Sequence, residues 1–465
     1  MSMSNCTIII LGATGDLVKR KLISSLYKLL AEEKIEKVCI VGAAFEDETV
    51  ENILERAKPF ITKLNEAIWQ KLTNSFVYQQ LSFTKQEDFV ALEKTVTRLE
   101  KKYKLSGNRL IYLAAAPHFF CEITQHLATS KLARKINDKK QNWHRIVYEK
   151  PFGHDLQSAH EINECIAQHF YEHQIYRIDH YLTKELVGNI SLIRFTNCVF
   201  EPLWNNRYID NVQIIVSENL CVENRGAYYD KYGALKDVVQ NHMMSLLALI
   251  GMESPEKLSG ESVAIERAKV LENVQLIDAV LGQYKNYTKE KAVVPNSKTE
   301  TFAALYLQVN NRRWAGVPFY LKTGKCLDKK ETVIHIKFKQ VDCLLAKDCP
   351  SDSNYLTIQI APEATFALSL NAKKLGQSSV MPIKMEFCHS CLFAEQTPQA
   401  HEILLYEIIK GERSISVRFD EIEYAWKLID NVDAMNLPIH EYEPGSTGPK
   451  ALETFAQKHG MRWRS

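Results

Sequence analysis

The feature that most restricts the fold is a βαβ alternation over the first 178 residues. Short apolar runs at 7–11, 38–41, 110–114 and 146–148 alternate with amphipathic stretches at 16–33 and 86–102. Runs this apolar must be covered on both faces, which predicts a Rossmann-like, doubly wound α/β domain: a parallel sheet between layers of helices. Beyond residue 210 the period changes. Val212, Ile214 and Val216 alternate, and strand-like runs follow at 301–309, 332–338, 355–360 and 365–370. They predict an α+β domain, larger than the first, with a mainly antiparallel sheet and helices, interrupted by one strong helix over 237–252. At 465 residues the chain exceeds what one core supports. Two domains are expected, 1–178 and 179–465. Ligands of doubly wound sheets bind beyond the carboxyl ends of the strands, so a second domain starting there would wall a cleft.

Charge narrows the partners. Lys plus Arg (58) nearly balance Asp plus Glu (56), giving no broad attraction to nucleic acid or an anionic membrane, so an acidic ligand must be met at a local site. The first residues carry neither a basic n-region nor a long apolar stretch, and a cytoplasmic protein is expected. Eleven scattered cysteines read as reduced thiols packed like small apolar side chains. Cys388-His-Ser-Cys391 lacks the second ligand pair that zinc would want, so no metal is expected. Neither a Gly-x-Ser-x-Gly elbow nor a His-Glu-x-x-His motif is present.

The first run leads into Gly12-Ala-Thr14-Gly15-Asp16-Leu17-Val18 and then a helix. Small residues there let a backbone approach a pyrophosphate and aim free N–H groups at it. The spacing is Gly-x-x-Gly, short of the full dinucleotide fingerprint, so a plain strand-to-helix turn is the other reading. After the second run comes Gly42-Ala-Ala-Phe45-Glu46-Asp47, where such a site reads the adenine ribose. A carboxylate there suits the 2′-OH of NAD and an Arg the 2′-phosphate of NADP, while acidic residues equally suit the start of the next helix.

Lys150, in Glu149-Lys150-Pro151-Phe152-Gly153, either faces the cleft from a strand end or is a solvated turn lysine, beside a proline open to the cis form. Arg177-Ile-Asp179-His180-Tyr181-Leu-Thr183-Lys184-Glu185 is denser. Its His, Tyr and Lys suit a phosphate dianion; the bland alternative is a charged surface turn. His242 shares a helical face with Val238, Val239, Ser245 and Leu246, as a core histidine or a base would. Asp237, more than a turn away, also suits the helix dipole. Gly324-Lys325 is a basic turn, either solvated or reaching an anionic or hydroxylated ligand.

In combination these segments resemble the glucose-6-phosphate dehydrogenase family, over 12–22, 108–116, 148–153, 177–185, 218–252, 280–284, 314–327, 418–426 and 445–449. The Arg-Ile-Asp-His-Tyr-Leu-x-Lys-Glu segment is the most specific. The resemblance implies oxidation of the C1 hydroxyl of glucose 6-phosphate to 6-phosphogluconolactone, the first step of the pentose phosphate pathway, by a homodimer or homotetramer. NADP is the leading cofactor and NAD the alternative. By resemblance, His242 is the general base and Asp179 its orienting carboxylate. His180, Tyr181 and Lys184 take the phosphate; Glu218, Asp237 and Lys325 take the sugar hydroxyls. Lys150 orders substrate against cofactor, which lies along Gly12, Thr14, Gly15, Asp16, Leu17, Lys21 and Phe45.

Three positions depart from the family pattern. Phe45 stands where the family carries an Arg for the NADP 2′-phosphate, Thr183 where it has Gly, and His401 in place of a tyrosine. A second, structural NADP site is not expected. Two other functions share parts of the pattern: a glucose-fructose oxidoreductase type of enzyme, which lacks the phosphate cluster, and a catalytically silent cofactor-binding sensor, which would have shed the catalytic residues.

Overall fold

The computed structural model describes residues 4–137, 142–340, 353–376, 380–388, 391 and 400–464. They form two compact units, each described by itself. The first is Met1–Thr183 with Pro255–Ala264 and Pro398–Asp420; the second is Lys184–Ser254, Ile265–Thr397 and Glu421–Ser465. The division expected after residue 178 thus falls after Thr183, and two later segments return to the first unit. Side chains, not periodicity, bring them back. Leu404, Leu405, Ile408 and Ile409 sink into the first core. The Arg145 guanidinium donates to the carbonyls of Ile408 and Ile409 at 2.6 and 2.7 Å.

In chain order the first strands are β1 (Ser4–Leu11), β2 (Ile35–Ala44), β3 (Phe76–Gln80), β4 (Arg109–Leu113), β5 (His144–Tyr148) and β6 (Ile175–Ile178). Then come β7 (Ile209–Ser217), β8 (Val274–Tyr284), β9 (Phe302–Val309), β10 (Pro318–Gly324), β11 (Glu331–Phe338), β12 (Tyr355–Ala361), β13 (Thr365–Lys373) and β14 (Val380–Cys388). The short β15 (Ser416–Val417) and β16 (Ile439–Tyr442) complete the set.

Strands β3-β2-β1-β4-β5-β6 lie side by side in that order and all parallel, with β15 added antiparallel at the β6 edge. This is the doubly wound order, with its switch point between β1 and β4. β1, β4 and β5 are almost wholly buried, as their apolar runs require. Register aligns Leu11 with Leu113, Leu113 with Tyr148 and Tyr148 with Arg177. Four strands therefore release their next residues at one level. The helix expected over 16–33 opens with a π-turn, Val18–Leu22, before the α-helix Ile23–Ala31.

The second sheet has nine strands in the order β14-β13-β12-β11-β7-β10-β9-β8-β16. It is antiparallel except for the pairs β7/β10 and β8/β16. The helix expected over 237–252 is two kinds of helix: a π-helical segment, Leu235–Met243, then an α-helix, Met244–Gly251. Gly233 precedes it at φ +60, and a Cβ there would meet the Glu300 carboxylate at 2.3 Å. That carboxylate accepts the Leu235 N–H at 2.9 Å, which seats the start of the segment.

Cysteine pairing departs from the expectation of reduced thiols. Cys221 is bonded to Cys326, and Cys388 to Cys391, at Cα separations of 4.5 and 5.2 Å. The turns leaving β7 and β10 bring the first pair together across 105 residues, which spacing in the chain could not reveal. Cys6, Cys39, Cys121, Cys165 and Cys198 are free thiols; Cys343 and Cys349 lie outside the described residues. Among the described residues no helix is long and apolar enough to cross a membrane.

Two buried histidines set an acid limit on stability. Burial first, then nearby cations, pushes the rings of His144 and His335 down to about 3. Each stays neutral when folded and takes up a proton when unfolded below about pH 6.5. Stability is therefore full above that pH and declines as pH falls toward 3, by about 1 kcal/mol per histidine at pH 5.5. Urea midpoints at about pH 7.5 and 5.5 check this. The expected drop shrinks in His335→Gln; equal midpoints at both pH values contradict it.

Candidate active site

Gly12 follows β1 at φ +94, and a Cβ there would stand 2.3 Å from the Ala114 carbonyl oxygen at the end of β4. Only glycine brings two strand ends this close. The Gly12 and Ala13 N–H groups donate back to Ala43 at 2.7 and 3.1 Å, and the Gly15 N–H closes a turn on Gly12 at 3.0 Å. Chain direction then passes through Asp16 and Leu17 into the π-turn. Asp16 is exposed, and hydrogen bonds from Arg20 and Lys19 hold its carboxyl below the usual range. Lys21 is solvent-exposed on the same turn. A backbone cradle at the switch point, with no side chain at its nearest position, fits a dinucleotide pyrophosphate.

The ribose loop carries negative charge in earnest. The Thr14 hydroxyl donates to Glu46 Oε2 at 2.8 Å. Gln80 donates to the Phe45 carbonyl at 2.8 Å and Tyr78 to the Glu46 carbonyl at 2.5 Å, so the loop is pinned, while the Phe45 ring is 72% exposed. A hydroxyl that could donate to a ribose 2′-phosphate is thus engaged by a carboxylate. Glu46 and Asp47 do not open a helix here; the next one begins at Val50, capped by Thr49.

Lys150 leaves β5 through a cis peptide bond to Pro151. Glu149, one residue earlier, accepts a hydrogen bond from the buried Tyr112 hydroxyl and lies 3.6 Å from the His180 ring. Asp179 follows β6 and is 2% exposed; its carboxylate accepts the Tyr181 N–H at 2.9 Å. The Thr183 hydroxyl donates to the His180 carbonyl at 2.8 Å, and its φ is not in the left-handed region, so a side chain is accommodated where the family has Gly. In the second unit, Lys184 stands at the N-terminus of the helix Glu185–Thr196.

Also in that unit, Ser217 pairs with Gly324 in parallel register, so Glu218 and Lys325 leave adjacent strand ends. They form an ion pair of 2.5 Å. The Lys325 ammonium lies 5.4 Å from the Tyr229 ring centroid, and the Lys325 carbonyl accepts the Tyr442 hydroxyl at 2.7 Å. The π-helical segment packs against both β7 and β10. Its bonding from i to i+5 places Asp237 one turn before His242 on one face, whereas an α-helix would set them about 140° apart. Asp237 accepts the Tyr228 hydroxyl at 3.2 Å and is 7% exposed; His242 is 9% exposed. The buried Tyr229 hydroxyl is held far above its usual value by burial, then by Asp237, Glu300, Tyr442 and Glu218. Tyr229 thus lies against the Lys325 ammonium and within the field of Asp237 and Glu218.

Two family models match the chain: "Glucose-6-phosphate dehydrogenase, NAD binding domain" over residues 9–189 and "Glucose-6-phosphate dehydrogenase, C-terminal domain" over 191–464. The chain belongs to the glucose-6-phosphate dehydrogenase family. It is 40% identical to the glucose-6-phosphate 1-dehydrogenase of Bacillus subtilis (strain 168), over 98% of this chain and 97% of that one. The enzyme of that name from Chlamydia muridarum is 37% identical over 99% and 97%. A solved glucose-6-phosphate dehydrogenase in complex with glucose-6-phosphate superposes with a TM-score of 0.91 at 32% identity, covering all of both chains. A levoglucosan dehydrogenase at 10% identity (TM-score 0.53) and the transcriptional regulator Gal80p at 12% (0.52) share the fold alone.

For a glucose-6-phosphate dehydrogenase family member, sequence reasoning missed the aromatic residues around the charged groups. Tyr112, Tyr228 and Tyr229 lie in segments of family resemblance, yet an isolated tyrosine carries no spacing signal. What could have flagged Tyr228 and Tyr229 is their place between Glu218 and Asp237, in a run dense with ionisable residues.

Proposed function

We propose that this chain oxidises the C1 hydroxyl of glucose 6-phosphate to 6-phosphogluconolactone, with NADP as hydride acceptor and NAD as a competent substitute. The observation that carries it is the π-turn, which sets Asp237 and His242 on one face of a segment that packs against the strands delivering Glu218 and Lys325. NADP, when bound along Gly12, Thr14, Gly15, Asp16, Leu17, Lys21 and Phe45, supplies the oxidant.

The protein's own share is proton removal and positioning. The His242 imidazole takes the C1 hydroxyl proton, and Asp179 fixes its tautomer and orientation. Glu218, Asp237 and Lys325 hold the sugar hydroxyls, the Glu218–Lys325 ion pair and the hydrogen bond from Tyr228 to Asp237 keeping each group preset before substrate arrives. His180, Tyr181 and Lys184 take the phosphate through directed and charge-assisted bonds, and Lys150 orders substrate against cofactor. The exposed Phe45 and the Thr14–Glu46 bond favour a free ribose 2′-OH over a 2′-phosphate, so discrimination for NADP is weakened rather than abolished.

The assembly is a homo-oligomer in a cytoplasmic setting. Its support is β14, which ends the second sheet among the described residues and shows Met381, Ile383, Met385 and Phe387 on one face, each at least 42% exposed. An apolar row on an edge strand is a surface that another chain covers.

Two measurements test the reading. kcat/KM for glucose 6-phosphate should exceed that for free glucose by about 10³-fold, the worth of two or three charge-assisted bonds; equal values would sink the phosphate assignment. Phe45→Arg should raise the NADP to NAD ratio of kcat/KM by about tenfold, for one new phosphate contact. A ratio that stays put would refute the role given to the ribose loop.

A further inference from the structure

We infer that the first unit contains a divalent-cation site made by Glu149, His180 and His401, which a metal and the sugar phosphate occupy in turn. The three side chains each offer a ligand atom, and these atoms lie within 4.8 Å of one another. Glu149 follows β5, His180 follows β6, and His401 lies in the first turn of the helix Ala400–Lys410. Their donor set is two imidazoles and a carboxylate, the set that zinc and similar borderline ions take with one position left open.

His401 supplies the independent observation. Its ring is 8% exposed, and its Nε2 is fully buried with no hydrogen-bond partner among the described residues. Its centroid lies 4.8 Å from that of His180. Glu149 stands 3.6 Å from the His180 ring, close enough for both side chains to reach one ion. Its hydrogen bond from Tyr112 orients it from behind, as the outer partners of metal ligands do. Tetrahedral coordination at zinc distances needs ligand atoms about 3.4 Å apart. Glu149 and His180 are already near that, and a turn of the partly exposed His180 ring closes the remainder.

The consequence is inhibition. A metal that takes the His180 imidazole withdraws it from the phosphate, which rests on the assignment of the phosphate to His180 made above. The test uses Co²⁺ as a spectroscopic probe and Zn²⁺ as inhibitor on the full-length, chelator-treated protein, with His401→Tyr and His401→Gln. Visible Co²⁺ absorption in the absence of substrate, lost in both variants, is expected. Zn²⁺ inhibition should be competitive with glucose 6-phosphate and weakened by about tenfold or more in the variants, with the uninhibited KM within about threefold of wild type. Absent absorption, or absorption and inhibition unchanged by both variants, overturns the site. Metal bound through His401 without competition supports the site and overturns the phosphate assignment of His180 instead.

Discussion

Parallel hydrogen bonding dictates which residues stand side by side where a sheet ends, and in this chain Gly12, Phe45, Lys150, Asp179, His180, Glu218 and Lys325, all assigned to chemistry, are each the first or second residue after a parallel strand. Leu11, Leu113, Tyr148 and Arg177 share one level across β1, β4, β5 and β6, so Gly12, Glu149, Lys150, Asp179 and His180 emerge at a common edge. In the second sheet the one internal parallel pair, β7 and β10, does the same for Glu218 and Lys325. A slip of one residue in the β7/β10 register would separate the ion pair, since side chains alternate faces.

Where register cannot place a group, the backbone takes a less common form. Gly12 accepts a left-handed φ because any side chain would collide with Ala114. Gly233 does so against Glu300, whose carboxylate starts the π-helical segment. Over-wide turns cost helical hydrogen-bond geometry and persist where surroundings enforce them. Here they coincide with the cofactor helix at Val18–Leu22 and the helix of Asp237 and His242. Both are functional elements by assignment, and both bend a pattern that local propensity would have made plain α-helix.

Much of this was legible in the residues. Apolar runs covered on both faces announced the parallel sheet. Three things were not legible. A π-turn has the composition of an α-helix, so Asp237 looked more than a turn away from His242 when the backbone puts them on one face. The Cys221–Cys326 bond depends on two turns 105 residues apart in sequence. The return of segments such as 400–420 to the first unit rests on Arg145 and a few leucines and isoleucines, interactions without period. Phe45, by contrast, was readable from its type alone, and the Thr14–Glu46 hydrogen bond sharpened it from a missing cation into an opposing carboxylate.

The chemistry rests on His242, a residue that composition would place in the core and that the π-turn sets on one face with Asp237. The most direct test is turnover of glucose 6-phosphate by His242→Asn, alongside its cofactor dissociation constant and melting temperature. The account predicts a kcat lower by about 10² to 10⁴-fold, with cofactor binding and melting unchanged. Turnover at the wild-type rate would contradict it.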